Sequence, residues 1–84
     1  MNNKHRKILS AVFTDPVNGN LEWRKIEALF LELVAELNEQ SGSRVSFSLN
    51  GAKLDVDRPH PGKEALKYRV KDARNFLINA GVRL

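Results

Sequence analysis

The sequence predicts an α+β fold in which helices flank an antiparallel β-hairpin. Apolar residues recur at intervals of three and four in the first 37 residues and again after residue 65, apolar and polar residues alternate between 44 and 57, and Asn50-Gly51 divides the alternating stretch. A chain of 84 residues suits one small domain, so we expect a single domain over 1–84. The chain has no Cys, which excludes disulfides, thiolate nucleophiles and cysteine metal sites.

Two helices are predicted before the hairpin. The first spans 3–13 and stops at Asp15-Pro16, because Pro cannot continue a helix. Asn20 can cap the second helix, since its side chain can accept a hydrogen bond from a free backbone N–H. The apolar residues of the second helix are Trp23, Ile26, Phe30, Leu33 and Leu37. This pattern leaves two endings open: the helix continues to about residue 40, or it stops near Leu33 and 34–40 form an edge strand.

The hairpin and the last helix follow from clear local signals. Asn50-Gly51 favours a two-residue turn in which both positions have positive φ. Residues 45, 47, 49, 54 and 56 supply the apolar face of its two strands. The apolar stripe of the last helix consists of Leu66, Val70, Ala73, Leu77 and Ala80, and Gly81 ends it. Three cations, Lys67, Lys71 and Arg74, lie together beside that stripe on a helical projection.

Charge is distributed unevenly along the chain. The net charge is +4, and residues 41–84 carry nine Lys or Arg against four Asp or Glu. A polyanion such as nucleic acid is therefore a plausible partner for this half, although a basic surface is often only a solvated one. No apolar run reaches the length of a membrane span, and the start MNNKHRK lacks the apolar core of a signal peptide, so we expect no membrane association and a cytoplasmic location.

Residues 23–82 resemble the HicA family of toxins from bacterial toxin-antitoxin modules. The resemblance rests on Gly42-Ser43 at the start of the first clear strand, on Pro59-His60-Pro61-Gly62-Lys63-Glu64 after the last strand, and on the terminal Asn-Ala-Gly-Val. It implies a fold like that of double-stranded-RNA-binding domains, α-β-β-β-α with a three-stranded antiparallel sheet, preceded here by an extra N-terminal helix. It also favours the shorter second helix with 34–40 as the first strand, since a two-stranded hairpin alone is marginal.

The resemblance further implies a metal-independent mRNA endoribonuclease that inhibits translation and is neutralised by a HicB-type antitoxin. Such enzymes assist the attack of a ribose 2′-hydroxyl on the neighbouring phosphate, which needs a group that exchanges a proton near neutral pH. This chain departs from the family at Arg44, which replaces the catalytic His. Arginine is a poor base, but its planar set of donors suits a phosphate, so the expected role of Arg44 is to bind charge.

His60 is then the leading candidate for proton transfer, because His5 lies in a first helical turn that we expect to fray. A solvated turn histidine between two prolines is the competing interpretation. The residues expected to bind RNA are Ser43, Lys53, Arg58, Lys63, Lys67, Lys71 and Arg74, and the competing interpretation is an ordinary solvated face. We expect Trp23 in the core and consider Tyr68 for base stacking.

No cofactor and no metal site are indicated. Asp55 and Asp57 share one face of a strand, but two carboxylates without further ligands are more typical of solvent-facing strand polarity. Three functions stay open: an RNA-cleaving toxin, a catalytically inactive RNA-binding module of the same fold, and a domain whose basic surface is covered by an acidic antitoxin. We expect a monomer when the protein is free.

Overall fold

A computed structural model of the protein describes residues 1–17, 21–58 and 65–84. The elements are α1 (Asn3–Phe13), α2 (Trp23–Glu32), β1 (Glu36–Glu39), β2 (Arg44–Leu49), β3 (Ala52–Asp57) and α3 (Lys67–Asn79). The three strands form one antiparallel sheet in the order β1-β2-β3. The predicted α-β-β-β-α order, with a helix added at the N-terminal side, is confirmed.

The structure decides where α2 ends. Leu33 is its C-cap, Val34 takes the left-handed conformation with φ 68°, and the Ala35 N–H donates to the Phe30 carbonyl at 3.0 Å. This turn redirects the chain into β1, so the shorter helix is correct.

The predicted start of α2 is wrong. The N-cap is Glu22, and its side chain makes no capping hydrogen bond. The Leu21 carbonyl accepts a hydrogen bond from the Ala65 N–H at 2.8 Å, and Glu22 has extended backbone with φ −74° and ψ 133°. Because this tertiary contact holds the chain extended through residue 22, the helix begins two residues later than a cap at Asn20 implies.

The hairpin has the predicted two-residue turn. Asn50 and Gly51 have φ 50° and 86°, and Val45 pairs with Val56 across the strands. Asn50 also makes a contact that the turn signal does not indicate: its side-chain amide donates to the Ala80 carbonyl at 2.9 Å. The hairpin turn is therefore attached to the end of α3.

Phe30 joins the helices to the sheet at the centre of the core. Its ring meets Phe47 of β2 at a centroid distance of 4.9 Å and Phe76 of α3 at 5.0 Å, both in edge-to-face geometry. Leu9 and Val12 of α1 are buried in the same cluster. The added helix therefore contributes to the core.

The apolar stripe of α3 is largely confirmed. Val70, Ala73, Leu77 and Ala80 are buried, and Phe76, which the stripe did not include, is buried with them. Leu66 is an exception, because its side chain is 56% exposed. It is the N-cap of α3, with φ −63° and ψ 149°, so it lies outside the helical repeat that the prediction extended to it.

Candidate functional site

Gly42-Ser43, one of the segments that carry the family resemblance, lies beside the end of β3, at one end of the sheet. The Arg58 N–H donates to the Ser43 carbonyl at 2.9 Å, and Arg44 pairs with Asp57 in the β2–β3 register. We call Ser43, Arg44, Asp57 and Arg58 the strand-end cluster. Residues 59–64 follow directly in the chain. His60 and Lys63 are among them, so both predictions lie outside the described residues.

Arg44 lies on the face of the sheet opposite the helices. Side chains alternate along a strand, and its neighbours Val45 and Phe47 pack into the core. Its Nη1 is 3.6 Å from Asp57 Oδ2, and the two side chains are 48% and 55% exposed. Arg44 is thus paired through one exposed contact and is open to an incoming anion.

Arg58 is held much more firmly than Arg44. Its Nε and Nη2 donate to the two carboxylate oxygens of Glu27 at 2.9 and 3.1 Å, and its Nη1 donates to Glu39 at 3.2 Å. Glu27 also accepts a hydrogen bond from the Trp23 indole N–H. The hydrogen bonds to Glu27 raise the pKa of Arg58 above its ordinary value. This arginine links α2, β1 and the end of β3.

The two guanidinium groups of the cluster therefore lie on different sides of the sheet. Arg58 follows Asp57 in the chain and reaches Glu27 of α2, on the side that carries the helices. Arg44 contacts Asp57 on the uncovered side. A ligand on the uncovered face meets Arg44 without meeting the Arg58 side chain.

Lys53 shares the uncovered face with Arg44 but lies toward the other end of it. It pairs with Ser48, whereas Arg44 pairs with Asp57, which is four positions further along the ladder. At a strand rise of about 3.3 Å per residue, this separates the two backbone positions by roughly 13 Å. An extended polyanion along the uncovered face can contact both side chains.

The basic stripe of α3 contains two exposed lysines and one arginine that is bound to backbone carbonyls. Lys67 and Lys71 are exposed. Arg74 is half-buried and donates from Nε to the Val12 carbonyl at 2.9 Å and from Nη2 to the Thr14 carbonyl at 2.7 Å. Since those carbonyls lie at the C-terminal end of α1, Arg74 holds α1 against α3.

The aromatic candidates are separated by burial. Trp23 is 3% exposed, which confirms its place in the core. Tyr68 is exposed at the start of α3, where the guanidinium carbon of Arg69 lies 5.1 Å from the ring centroid. This distance suits a cation–π contact, and the ring still presents a surface for stacking.

Two features escaped the sequence interpretation. The sequence pattern indicates no role for Glu27, yet its carboxylate accepts hydrogen bonds from both Trp23 and Arg58. His5 was expected to fray, but its N–H donates to the Asn2 side chain at 2.9 Å and its own side chain is only 18% exposed. Asn2 preceding a helical run is a recognisable N-cap, and this signal was available in the sequence.

Comparison with known proteins returned no match to any family model, curated protein or solved structure. Within residues 1–17, 21–58 and 65–84, no helix combines the length and apolarity needed to cross a membrane.

Proposed function

We propose that this chain is an RNA-binding toxin of the HicA type, a cytoplasmic mRNA endoribonuclease that a HicB-type antitoxin neutralises. The supporting observation is the hydrogen bond between Arg58 N–H and the Ser43 carbonyl. It brings the Gly42-Ser43-Arg44 segment beside the residue that immediately precedes Pro59-His60. The two motifs are far apart in sequence, and a shared RNA site requires that they meet in space.

In the proposed reaction the ribose 2′-oxygen attacks the adjacent phosphorus. A bond forms from that oxygen to phosphorus, the bond to the 5′-oxygen breaks, and a 2′,3′-cyclic phosphate and a 5′-hydroxyl result. One proton leaves the 2′-hydroxyl and one reaches the departing 5′-oxygen. His60 acts as the general acid or base, and Arg44 binds the phosphate as negative charge builds on its oxygens.

RNA binding outside the reacting phosphate uses the exposed cations. Lys67 and Lys71 of α3, together with Lys63, contact backbone phosphates, and Lys53 extends the contact along the uncovered sheet face. Arg58 and Arg74 support the surface by fixing the strand end and α1. This division separates residues that bind RNA from residues that hold the binding surface in shape.

A second function, RNA binding without cleavage, is favoured by one specific observation. Arg44 stands where the family has its catalytic histidine, and it is paired with Asp57 at 3.6 Å. An arginine so placed binds phosphate or an acidic segment of an antitoxin but does not accept a proton at neutral pH.

The deciding experiment incubates purified protein with labelled RNA in EDTA and compares wild type with His60→Ala, Arg44→Ala and Arg44→His. Lys7→Gln, which removes an exposed cation of α1 that has no part in the proposed RNA surface, is the matched control. For the nuclease we expect cleavage by wild type and by the control, and loss of cleavage in His60→Ala. A gel-shift assay at low salt runs in parallel, because electrostatic binding falls as salt rises.

The outcomes separate the alternatives. Intact RNA that is bound by wild type and cleaved by Arg44→His identifies an inactive binding module of the same fold. Absence of RNA affinity at low salt rejects both RNA functions and leaves a domain that binds an acidic partner. Cleavage that persists in His60→Ala removes His60 from the mechanism.

A further inference from the structure

A groove between α1 and α2 combines apolar and cationic side chains. Its volume is about 230 Å³, and it is lined by Lys4, His5, Ile8, Arg24, Lys25 and Ala28. Ile8 and Ala28 are the apolar members. The four remaining residues all carry nitrogen donors, and three of them are cations at neutral pH. The groove lies among the helices, away from the uncovered sheet face that carries Arg44.

The carboxylate of Glu22 balances this charge only in part. Its two oxygens are 3.7 Å from Arg24 Nε and 3.4 Å from Lys25 Nζ, and the Arg24 side chain is 82% exposed. Lys4 makes no ion pair within the described part of the chain. Side chains held this loosely can turn toward a ligand at little energetic cost.

His5 adds a buried polar atom on the same groove. Its Nδ1 is buried and has no hydrogen-bond partner among the described residues, and the nearest carboxylate oxygen, on Glu32, is 4.0 Å away. Buried polar groups without a partner are uncommon in folded proteins. A ligand in the groove can contact only the exposed part of this side chain, which is 18% of it.

We propose that the groove is a binding site for a small phosphate monoester, with the phosphate at Lys4, His5, Arg24 and Lys25 and the organic part over Ile8 and Ala28. This inference is independent of the proposed action on RNA. A phosphate monoester carries a charge of about −1.5 to −2 at pH 7 and several acceptor oxygens. A ligand with this charge matches three cations better than a ligand with one carboxylate does. The apolar side chains of Ile8 and Ala28 favour an organic ester over inorganic phosphate.

The test is calorimetric titration of the full chain at low salt with phenyl phosphate, benzoate and inorganic phosphate. These probes separate the phosphate from the ring: benzoate keeps the ring with a smaller charge, and inorganic phosphate has no ring. We expect phenyl phosphate to bind about fivefold more tightly than benzoate, the factor that one additional charge contact near 4 Å supplies, and more tightly than inorganic phosphate because its ring is buried against Ile8 and Ala28.

Single substitutions then locate the binding. Lys4→Gln and Lys25→Gln should each weaken phenyl phosphate binding about fivefold. Two variants on the sheet face, Lys53→Gln and Arg44→Ala, lie away from the groove. Each should change phenyl phosphate binding by less than about twofold. Circular dichroism establishes that the variants remain folded.

Amide chemical shifts of wild type provide a second readout that needs no variant. Phenyl phosphate should shift the amides of 4–8 and 24–28. The proposal is overturned if benzoate binds equally well, if Lys53→Gln weakens binding as much as Lys25→Gln, or if the shifts cluster on the sheet. Loss of RNA cleavage in Arg44→Ala with unchanged phenyl phosphate binding keeps this test separate from that of the nuclease.

Discussion

Arg58 and Glu27, 31 residues apart in the chain, form a two-point ion pair with N···O distances of 2.9 and 3.1 Å. The pair joins the end of β3 to α2. Glu27 also accepts a hydrogen bond from the buried Trp23 indole, so its carboxylate binds both a core side chain and the partly exposed Arg58. The same arginine reaches Glu39 of β1, whose side chain is 65% exposed. The contact of Arg58 with Glu27 should therefore stabilise the protein more than its contact with Glu39 does.

Double-mutant cycles on urea unfolding should show this difference. We expect a coupling of about 1–2 kcal/mol between Arg58 and Glu27, reduced by solvent because about a third of the Arg58 side chain is exposed, and less than about 1 kcal/mol between Arg58 and Glu39. Glu27→Ala alone should cost about 2–3 kcal/mol, since it also leaves the Trp23 N–H without an acceptor. Equal coupling for the two carboxylates contradicts this ranking.

The pH dependence of that coupling follows from the raised pKa of Arg58. A cation whose pKa is higher in the folded protein stabilises fully below its unfolded pKa and loses that contribution as the pH rises through the folded value. For arginine this loss begins above about pH 12, so the coupling should be constant from about pH 7 to 11. In Arg58→Lys it should fall above about pH 10, measured as the stability difference between Arg58→Lys and the same variant with Glu27→Ala. A wild-type coupling that falls within this range refutes the prediction.

Arg74 should contribute to the stability of the fold through its contacts with the end of α1. Arg74→Met removes two charge-assisted hydrogen bonds, to the Val12 carbonyl of α1 and to the carbonyl of its C-cap Thr14, and we expect a loss of about 2 kcal/mol and faster hydrogen exchange in α1. Lys71→Gln is the control from the same helix, and its exposed side chain should change stability by less than about 0.5 kcal/mol. If exchange in α1 is unchanged in Arg74→Met, Arg74 does not hold this helix.

Val34 should be replaceable by glycine with a gain in stability. A β-branched residue at positive φ is strained, and the Val34 side chain is 81% exposed, so its removal sacrifices little packing. We expect Val34→Gly to add about 0.5–1 kcal/mol to the free energy of unfolding, after allowing for the greater freedom of glycine in the unfolded chain.

The reverse substitution at the end of α3 is the matched control. Gly81 has φ 83°, and a Cβ there meets no atom within 4 Å, so Gly81→Ala should destabilise through backbone strain alone, by about 1 kcal/mol. If both variants shift stability in the same direction, the backbone explanation fails for one of them.

Asp57 should limit how tightly Arg44 binds RNA, if the proposed function is correct. Asp57→Asn removes the only ion-pair partner of Arg44 in the described residues, so we expect RNA affinity at low salt to rise about two- to fivefold. The stability cost should stay below about 1 kcal/mol, since the pair is half exposed. Asp55→Asn, on the same strand face, is the comparison variant. An equal gain from both would point to total charge and away from the Arg44 contact.

Local signals predicted the parts of the fold that depend on neighbouring residues. Asn50-Gly51 identified the turn because its two positions need positive φ, and the alternation around it then determined which residues of β2 and β3 enter the core. The start of α2 was missed because it depends on a hydrogen bond from Ala65, more than forty residues away in sequence. No pattern near Asn20 contains that information.

The predicted basic surface also depends on contacts between residues distant in sequence. Spacing placed Lys67, Lys71 and Arg74 on one stripe, but it did not distinguish the two exposed lysines from the arginine that binds the Val12 and Thr14 carbonyls. Nor did it reveal that Arg44 and Arg58 reach opposite sides of the sheet. These roles depend on partners distant in sequence, which become neighbours only when the helices pack.

The position of β1 at the margin of the sheet has a consequence for self-association. One long side of this strand carries backbone groups that no other strand of the described sheet pairs, and such a margin invites a second copy to add on. The strand has only four residues and begins and ends with glutamate. A second copy that added to this margin would bring its own two glutamates close to these two. Electrostatic repulsion between the glutamates thus opposes strand pairing between two copies at this margin.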